Sequence, residues 1–201
     1  LCPRCRSLER HRFQYVVFEQ LSHLMDLSKK SIIHFSPEPF FRKLFKKRFG
    51  QYHSADLTRR DVDFNVDLTK LPFKDKNYDF VYASHVLEHI KDDEAALKEI
   101  QRILKPGGIA ILPVPILAEK TVEYSEPNPY ESYHVRLPGP DYLDKYSSYF
   151  NRVLKYYSKD FSEDYQLFIY EDRTGWPTET MPQRLPMNGE KHFDIIPVCY
   201  L

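Results

Sequence analysis

The sequence predicts an α/β protein built on a parallel sheet. Two observations carry this reading. Residues 63–115 run strand, loop, strand, turn, helix, strand, which is the order of a right-handed β-α-β unit. Residues 31–57 repeat the alternation, with short apolar runs on either side of an amphipathic segment.

Taken in order, Cys2-x-x-Cys5 opens the chain with the spacing of half a structural zinc site. A tetrahedral site needs two more ligands. There is no second C-x-x-C, and His11 and Cys199 are the weak candidates. The chain begins at Leu1 rather than Met, so we expect a preceding piece with the first knuckle; a pair of free thiols is the alternative. Residues 7–26 read as a helix with Phe13, Val16, Val17, Gln20, Leu21 and Leu24 as its stripe. Residues 31–36 are the first strand. Residues 37–49 form a helix with Pro37 and Pro39 in its first turn, where proline is tolerated. Phe40, Phe41, Leu44, Phe45 and Phe49 face inward, and Arg42, Lys43, Lys46 and Lys47 outward. Residues 52–57 are the second strand; 59–62 are too short for a helix; 64–66 are the third strand.

Residues 78–83 are aromatic and β-branched, as a buried strand should be. Residues 92–104 form a helix: Ala96, Leu97, Ile100, Ile103 and Leu104 share a face. Asp92, Asp93 and Glu94 suit its positive end, and Arg102 and Lys105 its negative end. Pro106-Gly107-Gly108 stops it, and 109–114 return as a strand. Residues 117–129 read as a polar, proline-containing mobile loop, 140–150 as a short amphipathic helix and 151–157 as the sixth strand. Residues 193–200 are a last strand, antiparallel at the sheet edge, while 158–190 do not read cleanly and are taken as an insertion or lid.

With 29 basic and 29 acidic residues, nothing global argues for nucleic acid or an anionic membrane as partner. No apolar run approaches the ~20 residues a membrane span needs. There is no signal peptide pattern. Three cysteines do not make a disulfide framework, so a reducing, cytoplasmic setting is expected.

Residues 66–73 (VDLTKLPF), 78–90 (YDFVYASHVLEHI) and 104–108 (LKPGG), in this order and spacing, resemble the core of class I S-adenosylmethionine-dependent methyltransferases. The opening CPxCxSLERHR resembles an uncharacterised subgroup of them with a zinc-knuckle-like element before the fold, which extends the resemblance over nearly the whole chain. It implies a Rossmann-like, seven-stranded, mostly parallel sheet with helices on both faces. Residues 1–30 would be a zinc-knuckle remnant and helix, and 31–201 the methyltransferase domain, with lids or insertions at 117–138 and 158–190.

The same resemblance implies S-adenosylmethionine as cofactor and an unidentified, small-molecule methyl acceptor. In an open α/β sheet the ligand sits at the carboxyl ends of the strands. The turn Phe35-Ser36-Pro37-Glu38 would then hold the methionine part, Asp56 and Leu57 the ribose side, Asp67 and Leu68 the adenine, and Ser84 and His85 the floor. A carboxylate is apt at Asp56, because it is acceptor-only and can take both ribose hydroxyls. His85, His89 and His134 are the candidate bases, with Arg136 orienting an anionic acceptor, and Cys2 and Cys5 are the candidate zinc ligands. One departure stands out: the family's glycine-rich first turn is missing, since no glycine precedes Gly50.

Three other readings follow from particular residues. The glycine-free turn suits a catalytically silent scaffold. His85, Glu88 and His89 match the H-x-x-E-H pattern of a zinc hydrolase if they share a helix face. Cys2, Cys5 and the basic run from Arg4 to Arg12 suit a zinc-ribbon nucleic-acid binder.

Overall fold

The computed structural model describes residues 2, 4, 7–179, 185–186 and 190–201, the backbone alone at 185–186. Helix α1 (Arg10–Ser22) buries Phe13, Gln14, Val17, Phe18 and Leu21. The stripe is therefore rotated from the expected one, and Gln20 and Leu24 face solvent. The helix ends short of Asp26, whose Oδ1 accepts from the amide and hydroxyl of Ser28 and caps a separate 3-10 turn.

Strand β1 (Ser31–Phe35) is buried along its whole length. Helix α2 (Pro39–Arg48) starts on proline and ends on Lys46, Lys47 and Arg48, which complement its negative end. Strands β2 (Gln51–Asp56), β3 (Phe64–Asn65) and β4 (Tyr78–Ala83) follow. Helix α3 (Asp93–Ile103) is N-capped by Asp92, whose side chain accepts from the Ala95 amide. It passes directly into β5 (Leu104–Ile111), so Pro106-Gly107-Gly108 lie within the strand's span, where the pairing with β4 is irregular.

The segment expected to be a loop is partly a hairpin. Strand β6 (Val122–Asn128) pairs antiparallel with β7 (His134–Leu137). β6 is mostly exposed and lacks apolar alternation, which is why its sequence reads as loop. A nine-residue 3-10 helix, Pro140–Ser148, stands where an amphipathic helix was expected. Strand β8 (Arg152–Tyr157) precedes a small antiparallel sheet of β9 (Ile169–Asp172), β10 (Leu185–Pro186) and β11 (Glu190–His192), and β12 (Ile195–Tyr200) closes the chain.

The main sheet has seven strands in the order β3-β2-β1-β4-β5-β12-β8. β12 is antiparallel to both neighbours, as expected, but it is internal: β8 takes the edge. Successive residues of the central strands feed two cores. On one face Ile32, Phe80, Tyr82, Ile109, Ile111, Ile196 and Val198 meet Phe13, Val17 and Phe18 of α1 and Phe41, Phe45 and Phe49 of α2. On the other, Ile33, Phe35, Val81, Ala83, Ala110 and Leu112 meet Ala96, Leu97, Ile100 and Ile103 of α3, with Tyr142, Leu143 and Tyr146.

The amino ends of the strands are locked by Asp79. Its carboxylate accepts from Ser31 N and Oγ and from Lys105 Nζ at 2.7–2.9 Å. Burial would raise its pKa, but Lys105 and Ser31 hold it well below the usual carboxylate range. Nearby, Gly50 fits only as glycine, because a Cβ there would collide with the Ser28 carbonyl oxygen. Gly50→Ala is expected to lower stability by about 1–3 kcal/mol in denaturant titration; an unchanged midpoint would contradict this packing.

Candidate functional site

Strand pairing places the candidate residues side by side. Phe35 pairs with Ala55 on one side and with Ala83 on the other. The next residues along β1, β2 and β4 are Ser36, Asp56 and Ser84, so these three stand in a row where the strands end. The Ser36 amide donates to the Ala55 carbonyl, the Val66 amide to Asp56 O and the His85 amide to Pro113 O, extending the row toward Asp67 and across to β5. This is where the order reverses, with β1 flanked by β2 and β4, and open α/β sheets bind ligands at such a point.

The glycine-free turn reaches its conformation without glycine. Ser36 takes φ 46° and His85 φ 54°, both in the left-handed region. Glu38 is then turned inward, away from the role expected of it. Its Oε1 lies 3.0 Å from His11 Nε2, 3.4 Å from Ser84 Oγ and 3.6 Å from Arg10 Nη2, and its Oε2 lies 3.8 Å from His34 Nε2. His11 Nδ1 accepts from the Leu8 amide, so Nε2 carries the proton that Glu38 receives. Burial pushes Glu38 up, yet the hydrogen bond with His11 and the nearby His34 ring hold its carboxyl far below the usual range. Gln14 completes the inner wall: its Nε2 donates to Ser84 Oγ, and its Oε1 accepts from Tyr82 OH.

Asp56 Oδ1 accepts from the amides of Thr58 and Arg59, both at 2.9 Å. Burial opposes ionisation there, but these amides prevail and its pKa is lowered. Asp67 Oδ1 accepts likewise from Thr69 N and Oγ1. Among the described residues, Oδ2 of each carboxylate has no hydrogen bond. Arg59 Nη1 donates to Pro37 O and ties the Asp56 turn to the Ser36 turn. Leu57 is exposed, whereas the Leu68 side chain, expected to offer an apolar wall, is committed to the core.

Beyond β4 the chain does not form the helix that the H-x-x-E-H reading requires. His85 is left-handed, and only Leu87–His89 makes a single 3-10 turn. His85 and His89 are not brought to a shared helix face. Instead His89 meets His134 of β7, with ring centroids 4.6 Å apart, and Glu88 joins them. Ligand atoms of Glu88, His89 and His134 lie within 4.8 Å of one another. His134 Nδ1 is 2.9 Å from Glu131 Oε1, and Tyr124 OH donates to Glu131 Oε2. Arg136 is spent on structure rather than on an anionic acceptor. Its guanidinium donates to Leu87 O, Ile90 O and Lys91 O and to the Glu123 carboxylate. Burial pushes the Glu88 carboxyl up to about 8, and burial with the neighbouring His134 brings His89 down to about 4.

Two cavities open here. One of about 370 Å³ is lined by Arg10, His85, Pro115, Tyr170 and Asp194 among others. One of about 520 Å³ shares Arg10, His85 and Pro115 and adds Glu88, His89 and His134. Asp194 is buried, its carboxyl pushed up to about 7 by that burial. Neither cavity is lined by the 36–38 turn, Asp56 or Asp67. Arg10, Gln14, Glu131 and Asp194 escaped the sequence reading as site residues, and His11 entered it only as a weak zinc-ligand candidate. The only signal was the polar cluster SLERHR within an otherwise apolar helix start. Of the thiol pair, Cys2 is exposed and free, and Cys5 lies outside the described residues.

The matched family model is a methyltransferase domain, aligned to residues 18–112. A demethylmenaquinone methyltransferase of Streptomyces avermitilis is 30% identical over 126 residues, 61% of this chain and 46% of that protein. The chain spans about half the length of the curated relatives it matches at this level. Among solved structures, an S-adenosylmethionine-dependent methyltransferase from Mesorhizobium loti superposes with TM-score 0.61 at 13% identity, covering 92% of this chain and 97% of that one. A SAM-dependent methyltransferase from Thermotoga maritima gives 0.52 at 16%, covering 96% and 97%. The fold is thus the Rossmann-like one of these methyltransferases. No helix among the described residues is long and apolar enough to cross a membrane.

Two outcomes test this geometry. Ser36→Val should cost about 1–2 kcal/mol, because a β-branched side chain resists the left-handed region, while Ser36→Gly should be neutral or stabilising. Equal midpoints for the two variants would contradict the turn. Glu88 sets a pH dependence. Its folded value near 8 exceeds the ordinary 4.5, so the folded chain keeps a proton that the unfolded chain has lost. Stability should fall as pH rises between those values. In EDTA, the melting temperature of Glu88→Gln relative to the parent should therefore climb from pH 5 to pH 8, and parallel profiles would contradict a buried acid here.

Proposed function

We propose that this chain is an S-adenosylmethionine-dependent methyltransferase acting on a small-molecule acceptor. The observation that carries the reading is the row Asp56, Ser36, Ser84 at the β1/β4 switch point, with an ionised Asp56 whose Oδ2 is unengaged by the described residues. The donor set fits the cofactor. Asp56 would accept from the ribose hydroxyls, with exposed Leu57 beside it. Asp67 and the Leu68 backbone would take the adenine, and Phe35, Ser36 and Pro37 would supply the turn against the methionine part. Glu38 would act one step back, holding the turn and Ser84 in place. When bound, the cofactor supplies an electrophilic methyl group on a sulfonium.

The acceptor would enter from the opposite side of His85, through cavities whose size suits a small organic molecule. His85 lines both cavities, and His89 and His134 line the more polar one. Each would be a candidate to take a proton from an acceptor there. The β6–β7 hairpin and the segment after β8 would cover the cavities and exclude water. Demethylmenaquinone methyltransferase, named for a relative, is one guide to an acceptor screen. Cys2 and Cys5 remain the proposed ligands of a structural zinc, and a cytoplasmic location fits the cysteine usage.

Isothermal titration with S-adenosylhomocysteine tests the proposal. Micromolar binding is expected, weakened about 10–100-fold by Asp56→Ala through the loss of charge-assisted hydrogen bonds. A folded chain that binds none would overturn the enzyme reading in favour of the silent scaffold.

A further inference from the structure

We propose that Glu88, His89 and His134 form a binding site for a divalent first-row transition-metal ion, open to the cavity beside His85. Two imidazoles and one carboxylate are a donor set for zinc, manganese, iron or cobalt; magnesium prefers an all-oxygen shell. The ligand atoms already lie within 4.8 Å of one another without an ion.

Two further observations point to a ligand. Glu88 is 1% exposed, and its Oε2 has no hydrogen-bond partner. An orphaned buried carboxylate oxygen costs about 1–3 kcal/mol, or more when charged, and an ion would satisfy it. The second observation is the shell behind His134. Glu131, 3% exposed, takes the Nδ1 side of the imidazole and is itself held by Tyr124 OH. That fixes the tautomer with a lone pair on Nε2, the arrangement of a carboxylate–histidine–metal relay.

The two segments that bring the ligands are fastened together. Arg136, on the same strand as His134, donates to Leu87 O and Ile90 O on either side of Glu88 and His89. The site is thus held by a strand and a pinned turn rather than by a free loop. Metal binding stands independently of methyl transfer. Only a role for the ion in holding an acceptor oxygen and easing the loss of its proton rests on the proposed activity.

The test uses the full chain carrying Cys2→Ser and Cys5→Ser, so that thiolates do not compete, stripped with EDTA and titrated with cobalt(II) while its visible ligand-field bands are followed. One cobalt per chain is expected, displaced by zinc. His134→Ala should abolish this binding, and Glu131→Gln should weaken it about 10–100-fold. X-ray absorption of the zinc-loaded chain needs no variant to fold, and should show imidazole and oxygen scatterers. S-adenosylhomocysteine titration of the same samples is read separately, so a failed cofactor site and a failed metal site are distinguishable. No stoichiometric cobalt on a folded chain, cobalt binding that is unchanged in a folded His134→Ala variant, or zinc without imidazole neighbours would overturn the proposal.

Discussion

The carboxylate of Glu38 is the constraint on which the carboxyl edge of the sheet depends. A buried anion is costly unless it is paired and hydrogen-bonded. Here the partners come from three places: Arg10 and His11 of α1, His34 of β1 and Ser84 after β4. One charge therefore ties the first helix, the first strand–helix turn and the end of the fourth strand to one another. The side-chain amide of Gln14 repeats the link between α1 and β4. Removing any one of the more deeply buried groups, His11, His34 or Ser84, would leave the others less fully compensated.

This also accounts for the absence of glycine from the first turn. In a glycine-rich turn the backbone is free to bend close to a ligand. Here Ser36 occupies the left-handed region, and the cost is offset by its own amide bond to Ala55 O and by the anchoring of the two residues after it: Pro37 by Arg59, and Glu38 by α1. The turn is built from outside the turn. The same logic recurs at His85, also left-handed, whose amide is fastened to Pro113.

The elements with strong periodicity were legible. The strand at 78–83 matches β4, and the helix expected at 92–104 is α3 within a residue at either end. Asp56 and Asp67 were singled out through the family resemblance, and what the structure shows of them is that each accepts from the amides of its own turn. What the sequence hid was long-range. Nothing local says that Arg10 and His11 return to Glu38, or that His134 comes to lie against His89 forty-five positions earlier. Arg136 looked like an anion binder because a guanidinium is drawn to carbonyl oxygens and to anions alike, and only the fold decides which it meets. The exposed strand β6 escaped for the opposite reason, since with few buried positions it has no pattern to read.

The placement of β12 between β5 and β8 has a consequence for how the molecule is made. During translation β8 leaves the ribosome before its partner does, and residues 158–194 must follow before Ile195–Tyr200 can slot between the two. At about 5–20 residues per second that is a wait of seconds. Meanwhile β5 and β8 each show an unpaired edge on a nascent chain, with Ile109, Ile111 and Leu112 on the β5 side still lacking the strand that covers them. β12 is the keystone of the sheet, and until it arrives the edges of β5 and β8 stay open to wrong pairing.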